Sequence, residues 1–149
     1  NDLRELVRKM LQTMYSQDGI GLAAPQVAVN KQLLVVDGDP EDAATPPLVL
    51  INPKITRYST EFAKGQEGCL SIPGVYLDVI RPAAIEVSFK DELGKPCKLQ
   101  VDDLVARVIQ HEMDHLNGVM FVDRVDNAIA LNQELKKNGF AIKDVKKIK

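Results

Sequence analysis

The chain contains two histidines, and both fall in one short segment, His111-Glu112-Met113-Asp114-His115. This is an H-E-x-x-H pattern, in which two imidazoles at helical spacing bind a metal and the glutamate handles protons. At about 100° per residue, His111 and His115 fall almost in line with Leu104 and Val108, so both rings can reach one ion. Glu112 falls inside the apolar arc with Val105, Val108, Ile109 and Leu116. Asp103, Arg107, Gln110 and Asp114 take the other side. Burying an unpaired carboxylate is unfavourable by on the order of several kcal/mol, so Glu112 needs a reason to be there. A metal ion nearby, or the water it binds, supplies one: Glu112 would take a proton from that water and pass it on. The plain alternative is a helix with two core histidines. The placement of both histidines of the chain inside the motif weighs against it.

A catalytic site of this kind takes three protein ligands. Glu134, on an expected terminal helix, would complete a site of the zinc-endopeptidase type. A stronger candidate lies upstream in Glu67-Gly68-Cys69-Leu70-Ser71, followed by Pro73-Gly74. A thiolate with two imidazoles suits zinc or ferrous iron. Composition and spacing do not rank Cys69 firmly above Cys97, because a small buried hydrophobe is the commonest fate of a free cysteine. A third segment, Gly19-Ile20-Gly21-Leu22-Ala23-Ala24-Pro25-Gln26, is rich in small residues that allow close backbone approach, or simply a tight loop. It lacks the Lys-Ser/Thr ending and the glycine spacing of a phosphate loop.

These segments need a frame. Leu3, Leu6, Val7, Met10, Leu11 and Met14 predict an amphipathic helix, capped by Asn1 or Asp2 and stopped at Asp18-Gly19. Gln32 to Val36 and Leu48 to Ile51 read as strands, the second closed by Pro53, with a loop from Asp37 to Pro47 between them. Ile55 to Tyr58 continues the sheet. Ile85 to Phe89 and Cys97 to Val101 form an antiparallel hairpin, with Gly94 supplying the positive φ. Residues 103 to 116 form the chemistry-bearing helix, started by Asp102 or Asp103 and ended by Asn117-Gly118. A third helix is expected at about 127 to 137. The fold class is α+β: mostly antiparallel sheets packed around a central metal-binding helix, with N- and C-terminal helices.

The 149 residues fit a single domain, 45% hydrophobic and 27% charged, ordinary values for a soluble globular protein. A net charge of −2 gives no reason to expect nucleic acid as a partner. The lysines near the C-terminus read as a solvated tail. No apolar run reaches the roughly 18 residues of a membrane span. Two cysteines are too few for a disulfide framework, and a reducing compartment is the default.

In order and approximate spacing, GIGLAAPQ at 19–26, EGCLS at 67–71 and QHEMDHLNG at 110–118 resemble the three signature motifs of peptide deformylases. The resemblance extends over roughly residues 2 to 139. It implies a hydrolase that removes the N-formyl group from the formylmethionine of newly made proteins, releasing formate. Cys69, His111 and His115 would hold one divalent metal: Fe2+ in the cell, with Zn2+, Ni2+ or Co2+ also accepted. Glu112 would be the general acid/base. The Gln26 side-chain amide and the Leu70 backbone N–H would stabilise the oxyanion. Ile20, Gly21 and Gly68 would bind the peptide as an added strand, while Leu104, Arg107 and Val108 would border the pocket for the methionine side chain. Glu67, Arg81 and Asp114 would form a network around the ligands.

Compared with the best-known bacterial members, Tyr76 stands where an arginine lies near bound peptide, and Arg107 where an isoleucine is common. The Gly74-Val75-Tyr76 segment is similar to plastid and cyanobacterial deformylases. Only 18 residues precede Gly19, which suggests truncation, processing or a compact viral-type enzyme. The implied partners are N-formylmethionyl nascent peptides, met at the ribosome by a monomer in a bacterial or virus-infected cytoplasm or in a plastid stroma. The competing expectation is a zinc endopeptidase that uses only the H-E-x-x-H helix and Glu134. A small structural zinc module fits less well, because such sites are closed by four protein ligands.

Overall fold

The computed structural model describes residues 2–17, 19–27, 29, 31–38, 46–69, 72–117, 133 and 137. It opens with helix α1 (Asp2–Ser16), which presents Val7, Met10 and Met14 to the interior as its apolar period requires. The Gly19 N–H closes the helix by donating to the Met14 carbonyl at 2.9 Å. Strand β1 (Gly21–Ala23), a 3-10 turn (Ala24–Val27), β2 (Leu33–Val36) and β3 (Leu48–Tyr58) follow. Next come β4 (Phe62–Cys69), β5 (Ile72–Pro82), β6 (Ala84–Lys90), β7 (Pro96–Asp102) and helix α2 (Asp103–Leu116).

Five strands form an antiparallel sheet in the order β1-β2-β3-β6-β7, and β4 pairs only with β5 in a separate hairpin. The sheet is covered on both faces at its β1–β2 end. Leu34 and Val36 face α2 with Ala23, Leu50, Ile85 and Val87, against Ala106, Val108 and Ile109. Leu33 and Val35 face α1 with Leu22 and Ala24, against Val7, Met10 and Met14. A strand buried on both faces must be apolar at every position, which explains the unbroken Leu-Leu-Val-Val run. Each such side chain contributes about 1.5–3 kcal/mol by leaving water.

β3 does not end at Pro53. It continues to Tyr58 through a bulge, with Asn52 at φ 51° and register shifts on either side of Lys54 and Ile55. Asn tolerates the left-handed region, and a bulge accommodates the N–H that proline lacks. The β6–β7 hairpin matches its sequence pattern, with Gly94 at φ 81°. Within EGCLS, Glu67 to Cys69 lie in β4, with a register irregularity between Gly68 and Cys69. Of the expected third helix, residues 133 and 137 are helical, and the rest of it, with Glu134, lies outside the described residues. So does most of the loop expected between β2 and β3.

α2 starts from Asp102 in extended conformation, without a side-chain cap bond, and Asp103 makes the turn at φ 50°. At its end Asn117 Nδ2 donates to the Met113 carbonyl at 3.0 Å. The flank of α2 carrying Arg107, Gln110 and Asp114 is not solvated. Gln110 and Asp114 are buried, and Gln110 Nε2 donates to the Pro82 carbonyl at the end of β5. The helix thus lies between the sheet on one side and the β4–β5 hairpin on the other.

Candidate metal centre

α2 brings His111, Glu112 and His115 together, their donor atoms all within 4.8 Å of one another. The two imidazoles stand edge to face, with centroids 5.1 Å apart. His111 and Glu112 are buried and His115 is half-buried. His111 Nδ1 meets Glu67 Oε1 at 2.9 Å. With a carboxylate there, Nδ1 carries the proton and Nε2 the lone pair, the arrangement in which an imidazole ligates through Nε2. The donor set and this tautomer fit a divalent metal ion.

Glu67 reaches His111 from the inner face of β4. Arg81, on β5, donates from Nε to Glu67 Oε2 at 2.5 Å, from Nη2 to Oε1 at 2.9 Å, and from Nη1 to Asp114 Oδ2 at 2.9 Å. Burial alone would push the Glu67 carboxyl up. The hydrogen bonds from His111 and Arg81, with the positive charge of Arg81, outweigh it and hold the pKa down at about 2. Glu67, Arg81 and Asp114 therefore meet as a buried ion network, joined through His111 to the centre. Cys69 closes β4, at the end of the same strand.

The GIGLAAPQ segment lies against the helix. β1 passes so close to α2 that a Cβ on Gly21 would sit 2.6 Å from Val108 Cγ1 and 2.8 Å from Glu112 Oε2. Only glycine lets the strand pass at this distance. Among the described residues β1 pairs with β2 alone and ends the sheet order, and such an edge can accept a further strand. The Ile20 carbonyl accepts the Asp37 N–H at 2.9 Å, anchoring the entry to β1. Gln26, in the 3-10 turn, receives the Ala23 N–H on Oε1 at 2.8 Å, which fixes its amide plane and leaves donation to the NH2 end.

The remaining expected residues are spread more widely. Val108 is buried between β1 and the core, whereas Leu104 is 49% exposed. Tyr76 is exposed on the outer face of the hairpin, opposite Gly68. Leu70 lies outside the described residues. Arg107 turns its guanidinium into the β4–β5 hairpin: Nη1 donates to Glu67 Oε2 at 2.6 Å and to the Val79 carbonyl at 2.9 Å, and Nη2 to the Ala63 carbonyl at 2.7 Å. Sequence reasoning placed Arg107 at a pocket wall and overlooked Gly65, over which the guanidinium lies. A glycine inside a strand was the available signal, since it marks close approach of another group.

A helix-borne His-Glu-His set and a carboxylate-oriented histidine fit the metal centre of a metallohydrolase of the H-E-x-x-H type. The sequence matches the family described as polypeptide deformylase over residues 1–130. It is 62% identical over 148 residues to peptide deformylase 1 of Nostoc sp., covering 99% of this chain and 79% of that protein. A crystal structure of a peptide deformylase from Synechococcus elongatus in complex with actinonin superposes with a TM-score of 0.95. It is 63% identical, over 99% of this chain and 80% of that one. A plant relative, Arabidopsis thaliana peptide deformylase 1B in complex with an inhibitor, gives 0.85 at 41% identity, over 92% of this chain and 75% of its own. The chain belongs to the polypeptide deformylase family.

Proposed function

We propose that the protein removes the formyl group from N-formylmethionyl nascent peptides, with Cys69, His111 and His115 holding one divalent metal. Family membership supports the reaction, and the Glu67–His111 contact at 2.9 Å is the observation that supports the ligand set. Such an ion, when bound, polarises the formyl carbonyl and lowers the pKa of water towards ~7.

The rest belongs to the chain. Glu112, buried and set beside both histidines, accepts the proton of the attacking water and returns it to the amine as the C–N bond breaks. Formate leaves with the added oxygen. The NH2 of Gln26 and the N–H of Leu70 donate to the oxyanion of the tetrahedral intermediate, each worth about 3 kcal/mol by analogy with other oxyanion holes. The peptide adds as a strand along Ile20, Gly21 and Gly68, using main-chain hydrogen bonds that ignore its side chains. Val108 and Leu104 line the methionine subsite, and Tyr76 borders the peptide's exit. Ferrous iron is the working metal, with zinc, nickel or cobalt as substitutes that suit the same soft and borderline ligands. The enzyme acts as a monomer at the ribosome, in a bacterial cytoplasm or a plastid stroma.

The test is deformylation of formyl-Met-Ala-Ser by anaerobically purified protein, with metal content assayed in the same sample. Free amine released in proportion to bound metal supports both reaction and cofactor. A metal-loaded protein that leaves the formyl peptide intact but cuts unformylated peptides would replace this reading with an endopeptidase.

A further inference from the structure

The reaction gives Arg107 no step, yet its guanidinium is engaged at four acceptors. Nη1 reaches Glu67 Oε2 at 2.6 Å, the Val79 carbonyl at 2.9 Å and the Gly65 carbonyl at 3.4 Å. Nη2 reaches the Ala63 carbonyl at 2.7 Å. Ala63 and Gly65 lie on β4 and Val79 on β5, where Gly65 and Val79 are register partners. One side chain of α2 therefore holds both strands of the hairpin.

Gly65 makes this contact feasible. A Cβ there would lie 2.8 Å from Arg107 Nε and 2.9 Å from Cζ, so the guanidinium occupies the space a side chain would need. The Glu67 carboxylate is held from both sides. Arg81 spans its two oxygens, Arg107 completes the coordination of Oε2, and Oε1 is left pointing at His111 Nδ1. The hairpin and helix that Arg107 joins are the two elements from which the proposed ligands come: Cys69 ends β4, and His111 and His115 sit on α2.

We propose that Arg107 is a positioning residue of the metal centre, docking the Cys69-bearing hairpin on α2 and orienting His111 through Glu67, with Gly65 providing the space. The inference rests on the ligand set given above. A lysine would not replace it, because an ammonium is a point charge and cannot donate through a planar fork to a carboxylate and two strands together.

Cobalt(II) serves as the probe, titrated anaerobically against a competing chelator, with the visible spectrum of the bound ion recorded and folding of the metal-free proteins followed by circular dichroism. Arg107→Met should weaken cobalt binding about 10- to 100-fold, the usual effect of losing a group that orients a ligand. Arg107→Lys should stay closer to the Met variant than to wild type. Gly65→Ala should weaken binding about tenfold in the wild-type background and have no further effect beside Arg107→Ala, because no side chain then reaches the space it fills. Should Arg107→Met not fold, the Lys variant and the Gly65→Ala single substitution carry the comparison. Wild-type affinity and spectrum in these variants, full rescue by lysine, or additive effects at 65 and 107 would each overturn the proposal alone. A wild-type protein that binds no cobalt would overturn the metal centre itself, and the proposal with it.

Discussion

Replacing Gly21 by alanine sets one methyl group against two things at once. The added Cβ meets Val108 Cγ1 at 2.6 Å and Glu112 Oε2 at 2.8 Å. Carbon atoms rest about 3.5–4.0 Å apart, so β1 and α2 must separate by about 1 Å. Val108 is β-branched and has little rotamer freedom on a helix, so it does not relieve the overlap. Glu112 is buried and cannot swing into water. Overpacking of this kind destabilises by about 1–3 kcal/mol, which for a chain of this size lowers Tm by about 2–12 °C. The larger effect falls on turnover, because a catalytic group misplaced by about 1 Å can lose about 100-fold in rate.

The assay pairs thermal unfolding with kcat on formyl-Met-Ala-Ser at full metal occupancy. Adding Val108→Ala to Gly21→Ala removes the clash with Cγ1 but leaves the clash with Glu112. The double variant should therefore regain part of its stability and little of its rate. An alanine variant with wild-type Tm and wild-type kcat would refute the close approach of β1 to the helix. Recovery of rate together with stability would refute the separate effect on Glu112.

Glu112→Gln keeps the shape but not the basicity, and should retain metal and fold while kcat falls about 10²- to 10⁴-fold, measured on metal-quantified protein. Arg81→Met strips a cation from two buried carboxylates, Glu67 and Asp114. Urea unfolding should show a loss of about 3–5 kcal/mol, towards the lower end because Arg107 still holds Glu67. Beside the entry to β1, partial burial and the hydrogen bond from its hydroxyl to Asp37 Oδ2 push Tyr15 up to about 12. The pKa is raised in the fold, so the stability this group contributes is present below ~10 and lost as pH rises through about 12. An alkaline titration of tyrosinate absorbance should show a late step that Tyr15→Phe abolishes; a late step that survives in the variant would belong to another tyrosine.

The helix at 103–116 was legible because its two sides differ in kind and its histidines recur at one helical turn, and α2 spans those residues. The β6–β7 hairpin was legible for a related reason: period-two alternation flanks a glycine that the turn requires. The β4–β5 hairpin was not. Its inner face mixes buried Glu67 and Arg81 with Leu77 and Val79, while its outer face carries Phe62, Tyr76 and Ile80, all more than half exposed. Apolar-in, polar-out reading fails on such an element, because ion pairs to the helix share its inner face with apolar packing and apolar side chains sit outside. The same mixing hid the engagement of Arg107 and Gln110, which with Asp114 fall opposite the apolar arc on a helical wheel; Asp114 was expected in its network only through the family resemblance. β3 was read as two pieces, Leu48 to Ile51 and Ile55 to Tyr58, because a proline argues against a continuous central strand, and a bulge at Asn52 is a tertiary solution that local sequence does not announce.

Gly65 and Arg107 stand 42 positions apart and compete for one volume. A change at one therefore bears on what the other tolerates. A lineage that acquired a side chain at 65 while keeping the arginine would force the guanidinium off the hairpin. One that lost the arginine first would leave the Ala63 and Val79 carbonyls without this donor and a hollow above Gly65. If both single changes weaken the docking of the hairpin, the two sites are coupled and tolerated changes should come in pairs. Where isoleucine occupies the helix position, a side chain at the strand position becomes admissible. Grafting either residue alone between such lineages should fail where grafting both succeeds.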